Sequence, residues 1–269
     1  MKDKRKNKYI ETANLYDYDV RDTAKDDIPF YLEYAKKAKR DILELGCGTG
    51  RITIPFAKEN LNIWGLDLSE PMLEIIKSKI ENLPVKYKKN IHIIHQNMAS
   101  FKLDNKFGMI FIPFRTFQSL TSSDEQKSCL KAVYEHLNDD GMFIVNVFKP
   151  NAKIDSSWIN KEEVKNWETV DTIKNLKIVR KEIRDDIDVE NQIIFPVLYY
   201  YVTDKNGITK KYTENLSLKF YYEDQIKTLL ENNGFEIMEE FGYYDKIPVK
   251  DGKEIILVCR KKVVENLKI

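Results

Sequence analysis

An α/β fold with a mostly parallel, Rossmann-like sheet, helices on both faces and an antiparallel β insertion is predicted by three features of this 269-residue chain. From Asp41 to Pro150, short and nearly continuous apolar runs alternate with helix-like segments, the pattern of strands buried on both faces. A glycine-rich turn, Gly46-Cys47-Gly48-Thr49-Gly50, stands between the first apolar run and the next helix. After Pro150 the texture changes to period-two stretches rich in tyrosine, and the α/β pattern resumes at Glu223.

DILEL (Asp41–Leu45) reads as the first strand. ITIPFAKE (Ile52–Glu59) reads as a helix, because Pro55 falls in its first turn, where proline is tolerated. NIWGLDL (Asn62–Leu68) is the second strand. Ser69 is placed to cap a helix running to about Glu81, with Pro71 in its first turn. HIIHQ (His92–Gln96) and MIFIPF (Met109–Phe114) are the third and fourth strands. Ser123–Leu137 is a helix capped by Ser122 or Ser123, and GMFIVNVF (Gly141–Phe148) is the fifth strand. In the insertion, KIVRKEIRDDI (Lys177–Ile187), IIFPVLYYYV (Ile193–Val202) and TKKYTENLSLKF (Thr209–Phe220) read as antiparallel strands, with DKNG (Asp204–Gly207) as a hairpin turn. Glu223–Asn232 is a helix closed by Asn233-Gly234, and FEIMEEFGYY (Phe235–Tyr244) and EIILVCRK (Glu254–Lys261) form a last strand pair.

The 44 basic and 43 acidic side chains leave a net charge of +1, which argues against a nucleic-acid or membrane binder held by bulk charge. Three scattered cysteines, Cys47, Cys129 and Cys259, form no CxxC pair, so neither a disulfide scaffold nor a metal site is expected and a reducing cytoplasm fits. No apolar run approaches a membrane span, and MKDKRKNK at the start has no apolar stretch behind it; it reads as a solvated tail, not a signal peptide.

The chemistry rests on ELGCGTGR (Glu44–Arg51), a glycine turn that lets the backbone approach a ligand at a helix N-terminus. Asp67, at the end of the second strand and 17 residues past Gly50, sits where an acid accepts hydrogen bonds from ribose hydroxyls. Together these predict an adenosine-type ligand. Arg51 occupies the place of the third glycine of the dinucleotide fingerprint, which argues against NAD or FAD, and no lysine followed by Ser/Thr makes a triphosphate loop.

E-L-G-C-G-T-G-R followed by GLDLS (Gly65–Ser69) resembles class I S-adenosylmethionine (SAM)-dependent methyltransferases. The resemblance extends to Asn97-Met98, to Ile112–Phe114 and to DDGMFIVNVF (Asp139–Phe148), and YYEDQIKTLLENNGF (Tyr221–Phe235) is similar to the family's C-terminal end. It points to the bacterial small-molecule branch that includes amino-sugar N-methyltransferases. It implies an N-terminal tail and lid helices over 1–40, a SAM-binding core over 41–150 and 221–262, and an antiparallel cap over 151–220. It further implies that Gly46, Cys47 and Gly48, with Arg51 in the same loop, serve the methionine side of SAM. Asp67 would hold the ribose, Leu68 and Met72 pack on adenine, Asn97 and Met98 read the adenine edge, and Pro113 lies near the sulfonium. Asn97 stands where the family usually has aspartate. Met72 as a core residue and Asn97 as a turn cap are the plain alternatives.

Methyl transfer from a sulfonium is an in-line displacement that needs alignment and exclusion of water. Arg115, after the fourth strand, is predicted to clamp a carboxylate or phosphate of the acceptor; the alternative is an internal ion pair with an acid such as Asp17. Ser119 stands where similar sequences often carry a histidine base, so catalysis by proximity alone is compatible with this chain. Tyr16, in the N-terminal segment, is expected at the methionine end of SAM or at the acceptor, or else in the core. His92, His95 and His136 read as structural. The expected function is methyl transfer from SAM, with S-adenosylhomocysteine (SAH) as product, to N or O of a small molecule by a monomer or homodimer. Methylation of a peptide, a protein or RNA, and non-catalytic SAM binding, are the competing readings.

Overall fold

The computed structural model describes residues 9–38 and 40–262; the MKDKRKNK stretch lies outside the described residues. Helix α1 (Thr23–Ala38) precedes β1 (Ile42–Leu45), α2 (Thr53–Lys58), β2 (Ile63–Asp67), α3 (Glu70–Glu81), the single turn α4 (Val85–Lys88) and β3 (Ile91–His95). There follow β4 (Phe107–Ile112), α5 (Ser123–His136) and β5 (Leu137–Phe148), and later α6 (Glu223–Asn232), β11 (Phe235–Phe241) and β12 (Glu254–Lys261). These strands form a seven-stranded sheet in the order β11-β12-β5-β4-β1-β2-β3. Pairings from β3 through β5 are parallel, and β12 runs antiparallel to both β5 and β11. Strand order reverses between β1 and β4, which opens a crevice at the carboxyl ends of those strands.

Residues of β4 alternate between the two faces, as the pleat requires. Met109 and Phe111 pack with Phe30, Tyr31 and Phe56, whereas Ile110 and Ile112 pack with Leu130, Val133 and Leu230. The sheet is therefore covered by α1 and α2 on one side and by α5 and α6 on the other. Each such aliphatic or aromatic side chain taken from water contributes about 1.5–3 kcal/mol. Ser122 caps α5 through a capping box with Glu125, one of the two predicted caps. Strand β4 ends at Ile112, earlier than Phe114, because Phe114 and Arg115 both turn into left-handed backbone, φ 51° and 66°.

A second sheet is wholly antiparallel: β6 (Asn160–Asp171), β7 (Leu176–Asp188), β8 (Ile193–Thr203), β9 (Thr209–Asn215) and β10 (Leu218–Lys219). The segment expected as one strand over 209–220 is broken at Leu216-Ser217, and β7 shifts register between Arg184 and Asp186. Both irregularities lie beside Pro196 of β8, which has no N–H to give the ladder; Leu216 N instead donates to Pro196 O. Strand β6 escaped the sequence reading because it is an exposed edge strand of mostly polar residues, the composition that protects an edge from further pairing.

Two buried acids tie the core together. Asp27 of α1 is fully buried, and the Arg51 guanidinium holds its two oxygens at 2.5 and 2.6 Å. Glu44 of β1 is 2% exposed and accepts from Thr53 Oγ1 at 2.6 Å. Burial pushes its carboxyl up to about 8, against the pull of that hydroxyl and of Arg51.

Removing the partner of Asp27 strands a buried charge, so Arg51→Met is expected to lower unfolding free energy by roughly 3–5 kcal/mol in urea titrations. A loss under about 1 kcal/mol would show the pair to be dispensable. For Glu44 the folded chain keeps a proton that the unfolded chain, with its ordinary value of 4.5, releases; stability is therefore fullest below that value and falls as pH rises toward about 8. Glu44→Gln should flatten this slope, so melting temperatures of the two proteins measured across that window must diverge as pH rises; parallel curves contradict the assignment.

Candidate active site

The glycine turn after β1 is built from left-handed backbone, with φ of 80° at Gly46 and 53° at Gly48. A Cβ on Gly46 would lie 2.4 Å from Thr116 Cγ2, so the turn packs directly on the segment that follows β4. A Cβ on Gly48 would meet nothing within 4 Å, because this residue faces an open cavity. Gly46 N and Cys47 N donate to Leu66 O at 2.7 and 3.0 Å, and Asp67 completes the anchor. Its Oδ2 accepts from Gly48 N and its Oδ1 from Ser69 N, each at 2.8 Å. Burial raises the Asp67 carboxyl above its ordinary value, and the amides of Ser69 and Gly48 oppose that.

The cavity encloses about 610 Å³ between the crevice of the parallel sheet and the inner face of the antiparallel one. Gly46, Gly48, Asp67, Leu68, Met72, Asn97 and Met98 line one part of it. Leu68 is 50% exposed there, an apolar surface presented to the cavity, while Met72 is 2% exposed. Asn97 Oδ1 accepts from Ala99 N at 2.9 Å, so it caps a turn while its side chain still lines the cavity. Tyr16 lines the cavity from a 3₁₀ turn over Ala13–Tyr18 and packs edge-on against Tyr9. Burial pushes its phenol up to about 12.

Three of the loop-related residues do not line the cavity. Cys47 turns its side chain into a buried cluster with Leu73 and Ile76, against Gly65, and its thiol is raised by burial. Arg51 is engaged by Asp27 and by Ala24 O, and stacks over the Phe114 ring at 4.7 Å. Pro113 is buried and presents only its carbonyl, to Thr116 N.

Arg115 does line the cavity, but its fork is engaged. Nε lies 3.1 and 3.2 Å from the carboxylate oxygens of Glu254, and Nη2 donates to Glu254 Oε1. Glu254 is 1% exposed and also accepts from Asn146 Nδ2 at 2.9 Å, while Asn146 Oδ1 accepts from Arg115 N. The internal acid is thus Glu254 and not Asp17, which instead accepts from Thr49 Oγ1 and pairs with Lys79, both at 2.6 Å. Ser119 donates its hydroxyl to Thr116 O at 2.8 Å. None of the three histidines lines the cavity; His92 bonds Asn62, His95 bonds Leu68 O, and His136 is held by Ala132 and Leu103.

The sequence reading did not find Phe114, Arg21 and Asp19, nor the cap residues Trp158, Glu162, Arg180, Glu182 and Arg184, all of which line the cavity. The available signal was the alternation Arg180-Glu182-Arg184, three charges on one face of a strand that otherwise reads as core.

Residues 42–141 match a methyltransferase domain family. A protein of Geobacillus sp. (strain WCH70), described only provisionally as a methyltransferase, is 26% identical over 230 residues, covering 85% of this chain and 87% of that one. The dTDP-3-amino-3,4,6-trideoxy-α-D-glucopyranose N,N-dimethyltransferase of Streptomyces venezuelae is 24% identical over 163 residues, 58% of this chain and 65% of that enzyme. Among solved structures, the CcbJ methyltransferase of Streptomyces caelestis superposes with a TM-score of 0.74 at 21% identity, over 97% of this chain and all of that one (100%). The chain thus carries a methyltransferase domain over residues 42–141, set in a sheet order and overall fold that it shares with that methyltransferase.

Proposed function

We propose that the chain methylates an amine of a small organic acceptor, using SAM bound between the glycine turn and the ends of β2 and β4. The observation that carries this reading is the single cavity shared by the Gly46–Gly48 turn, Asp67 and the inner face of the second sheet. Its volume of about 610 Å³ falls within the range of small-molecule and cofactor sites. An amine is favoured by the relative from Streptomyces venezuelae, whose name gives N,N-dimethylation of an amino sugar.

The residues fit the cofactor. Gly48 leaves open the space that a side chain would fill, and Asp67 retains acceptor lone pairs for ribose hydroxyls beyond the two amides it already serves. The exposed face of Leu68 and the buried Met72 offer an apolar seat for adenine, with Asn97 and Met98 beside it. When bound, SAM would supply an electrophilic methyl carbon on its sulfonium, so that a new N–CH3 bond to the acceptor replaces the C–S bond and SAH leaves with the electron pair.

The chain's own contribution is positioning. No histidine lines the cavity, and the Ser119 hydroxyl donates to a backbone carbonyl, so neither acts as a ready base. The Tyr16 phenol keeps its proton at neutral pH and orients the acceptor amine through its oxygen. The amine therefore enters as the free base, and rate comes from alignment and exclusion of water under the N-terminal segment. Arg115 acts as a positioning residue: through Glu254 and Asn146 it fixes the left-handed turn at Phe114-Arg115 that shapes the chamber floor.

Calorimetry is expected to show SAM and SAH binding and no NAD binding, with Asp67→Ala weakening SAM by roughly 1–3 kcal/mol. Unchanged SAM affinity would overturn the ribose assignment. Arg115→Met should lower the melting temperature and SAM affinity together. Its stability cost is roughly 1–3 kcal/mol, below the full cost of a stranded buried charge because 38% of the Arg115 side chain is exposed. Normal stability with abolished turnover would return Arg115 to the role of acceptor clamp.

A further inference from the structure

Arginine recognition of the acceptor, expected at Arg115, has better support on the second sheet. Arg180, Glu182 and Arg184 alternate along β7, and all three face the cavity. Arg180 is 7% exposed, deep in the cap between its register partners Trp167 of β6 and Tyr200 of β8. Its charge is only loosely answered. Nη1 stands 3.5 Å from Asp19 Oδ2, and Nη2 stands 3.6 Å from Glu182 Oε2. The Asp19 oxygen is held more closely by Arg21, whose Nη2 lies 2.5 Å away. Arg180 Nε is buried and has no hydrogen-bond partner, and the same holds for Trp167 Nε1.

A buried guanidinium with an unmatched N–H is costly unless something supplies an acceptor, since a lost hydrogen bond to a charged group carries the full desolvation penalty. Nothing among the described residues does so, although the cavity opens beside it. The missing partner is an acceptor that enters by the cavity, and an oxyanion is the group whose geometry matches a guanidinium edge with two parallel bonds. Glu162 and Glu182 also line the chamber and offset the positive charge of its arginines, so directional donors and not bulk potential must hold the anion.

We propose that the methyl acceptor carries a carboxylate or phosphate that binds Arg180, and that Arg180 is the residue that selects it. This rests on the methyltransferase reading above. The acceptor is thus an anionic amine, its oxyanion on the cap sheet and its nitrogen toward Tyr16 and the glycine turn. Arg115 and Arg51 take no part, because both guanidinium groups are engaged by buried acids.

The test is titration of the full chain, saturated with SAH, with inorganic phosphate and separately with acetate, for wild type, Arg180→Lys and Arg180→Gln. Wild type is expected to bind at least one of the two, and the variants to lose at least about tenfold in that affinity, the scale of one charge-assisted hydrogen bond. SAH affinity should stay within about threefold in both variants, a small effect on the free-energy scale. Tighter phosphate than acetate assigns a phosphorylated acceptor, and the reverse assigns a carboxylate. Absence of binding by both anions to wild type, or equal affinity in Arg180→Lys, overturns the proposal. If Arg180→Gln does not fold, Arg180→Lys decides alone, since it keeps the charge and lacks Nε. Failure of wild type to bind SAH would instead defeat the methyltransferase reading, which separates the two outcomes.

Discussion

Asp67 holds the glycine turn in place, and the wall of the cavity that this turn forms depends on it. A stretch with three left-handed glycines in five residues has much conformational freedom to lose and little side-chain packing to offset that loss. The turn is fixed from β2: Leu66 O takes the amides of Gly46 and Cys47, and Asp67 takes those of Gly48 and Ser69. The same carboxylate thus sets the exit of β1 and the entry of α3. A ligand that bonds Asp67 joins an arrangement already made and does not have to order the loop.

The far side of the cavity is closed by a segment with little regular structure. Asp17 reaches the glycine loop through Thr49 and Lys79, and Tyr9 N and Thr12 Oγ1 reach across to Glu214 of β9, at 3.3 and 2.8 Å. Burial raises the Glu214 carboxyl, and the two donors work against that rise. The stretch over residues 9–18 therefore bridges the second sheet and the glycine loop, with Tyr16 between the two anchor points. Tyr18 OH donates to Asp171 Oδ2 at 2.5 Å and extends the bridge to the end of β6.

The parts of this structure that are legible in the sequence are those whose cause is local. Alternating Met109-Ile110-Phe111-Ile112 announces a strand buried on both faces, and left-handed backbone at Gly46 and Gly48 needs glycine whatever surrounds it. The hairpin at Asp204–Gly207 closes as expected, with Gly207 N donating to Asp204 O. What escaped has distant causes. The partner of Arg115 lies 139 residues away on β12, and no spacing rule singles out Glu254 from other acids. The breaks in β7 and beyond β9 follow from Pro196 on a neighbouring strand, not from their own residues. Edge strand β6 carries no hydrophobic alternation because one side of it has nothing to pack against.

The site's arginines show why residue type alone did not reveal their roles. Arg51 and Arg115 each meet a carboxylate with at most 1% exposure, at hydrogen-bond distance and through two nitrogens. Such a pair fixes backbone: Arg51 draws α1 onto the glycine loop, and Arg115 draws β12 onto the turn after β4. Neither fork can turn to a ligand without stranding a buried charge. Arg180 differs in its surroundings, not its chemistry. Its acids stand at 3.5 and 3.6 Å, one of them is shared with Arg21, and its Nε has no acceptor. A guanidinium held loosely by its own chain, at the wall of a cavity, keeps the hydrogen-bonding capacity that recognition of an incoming anion requires.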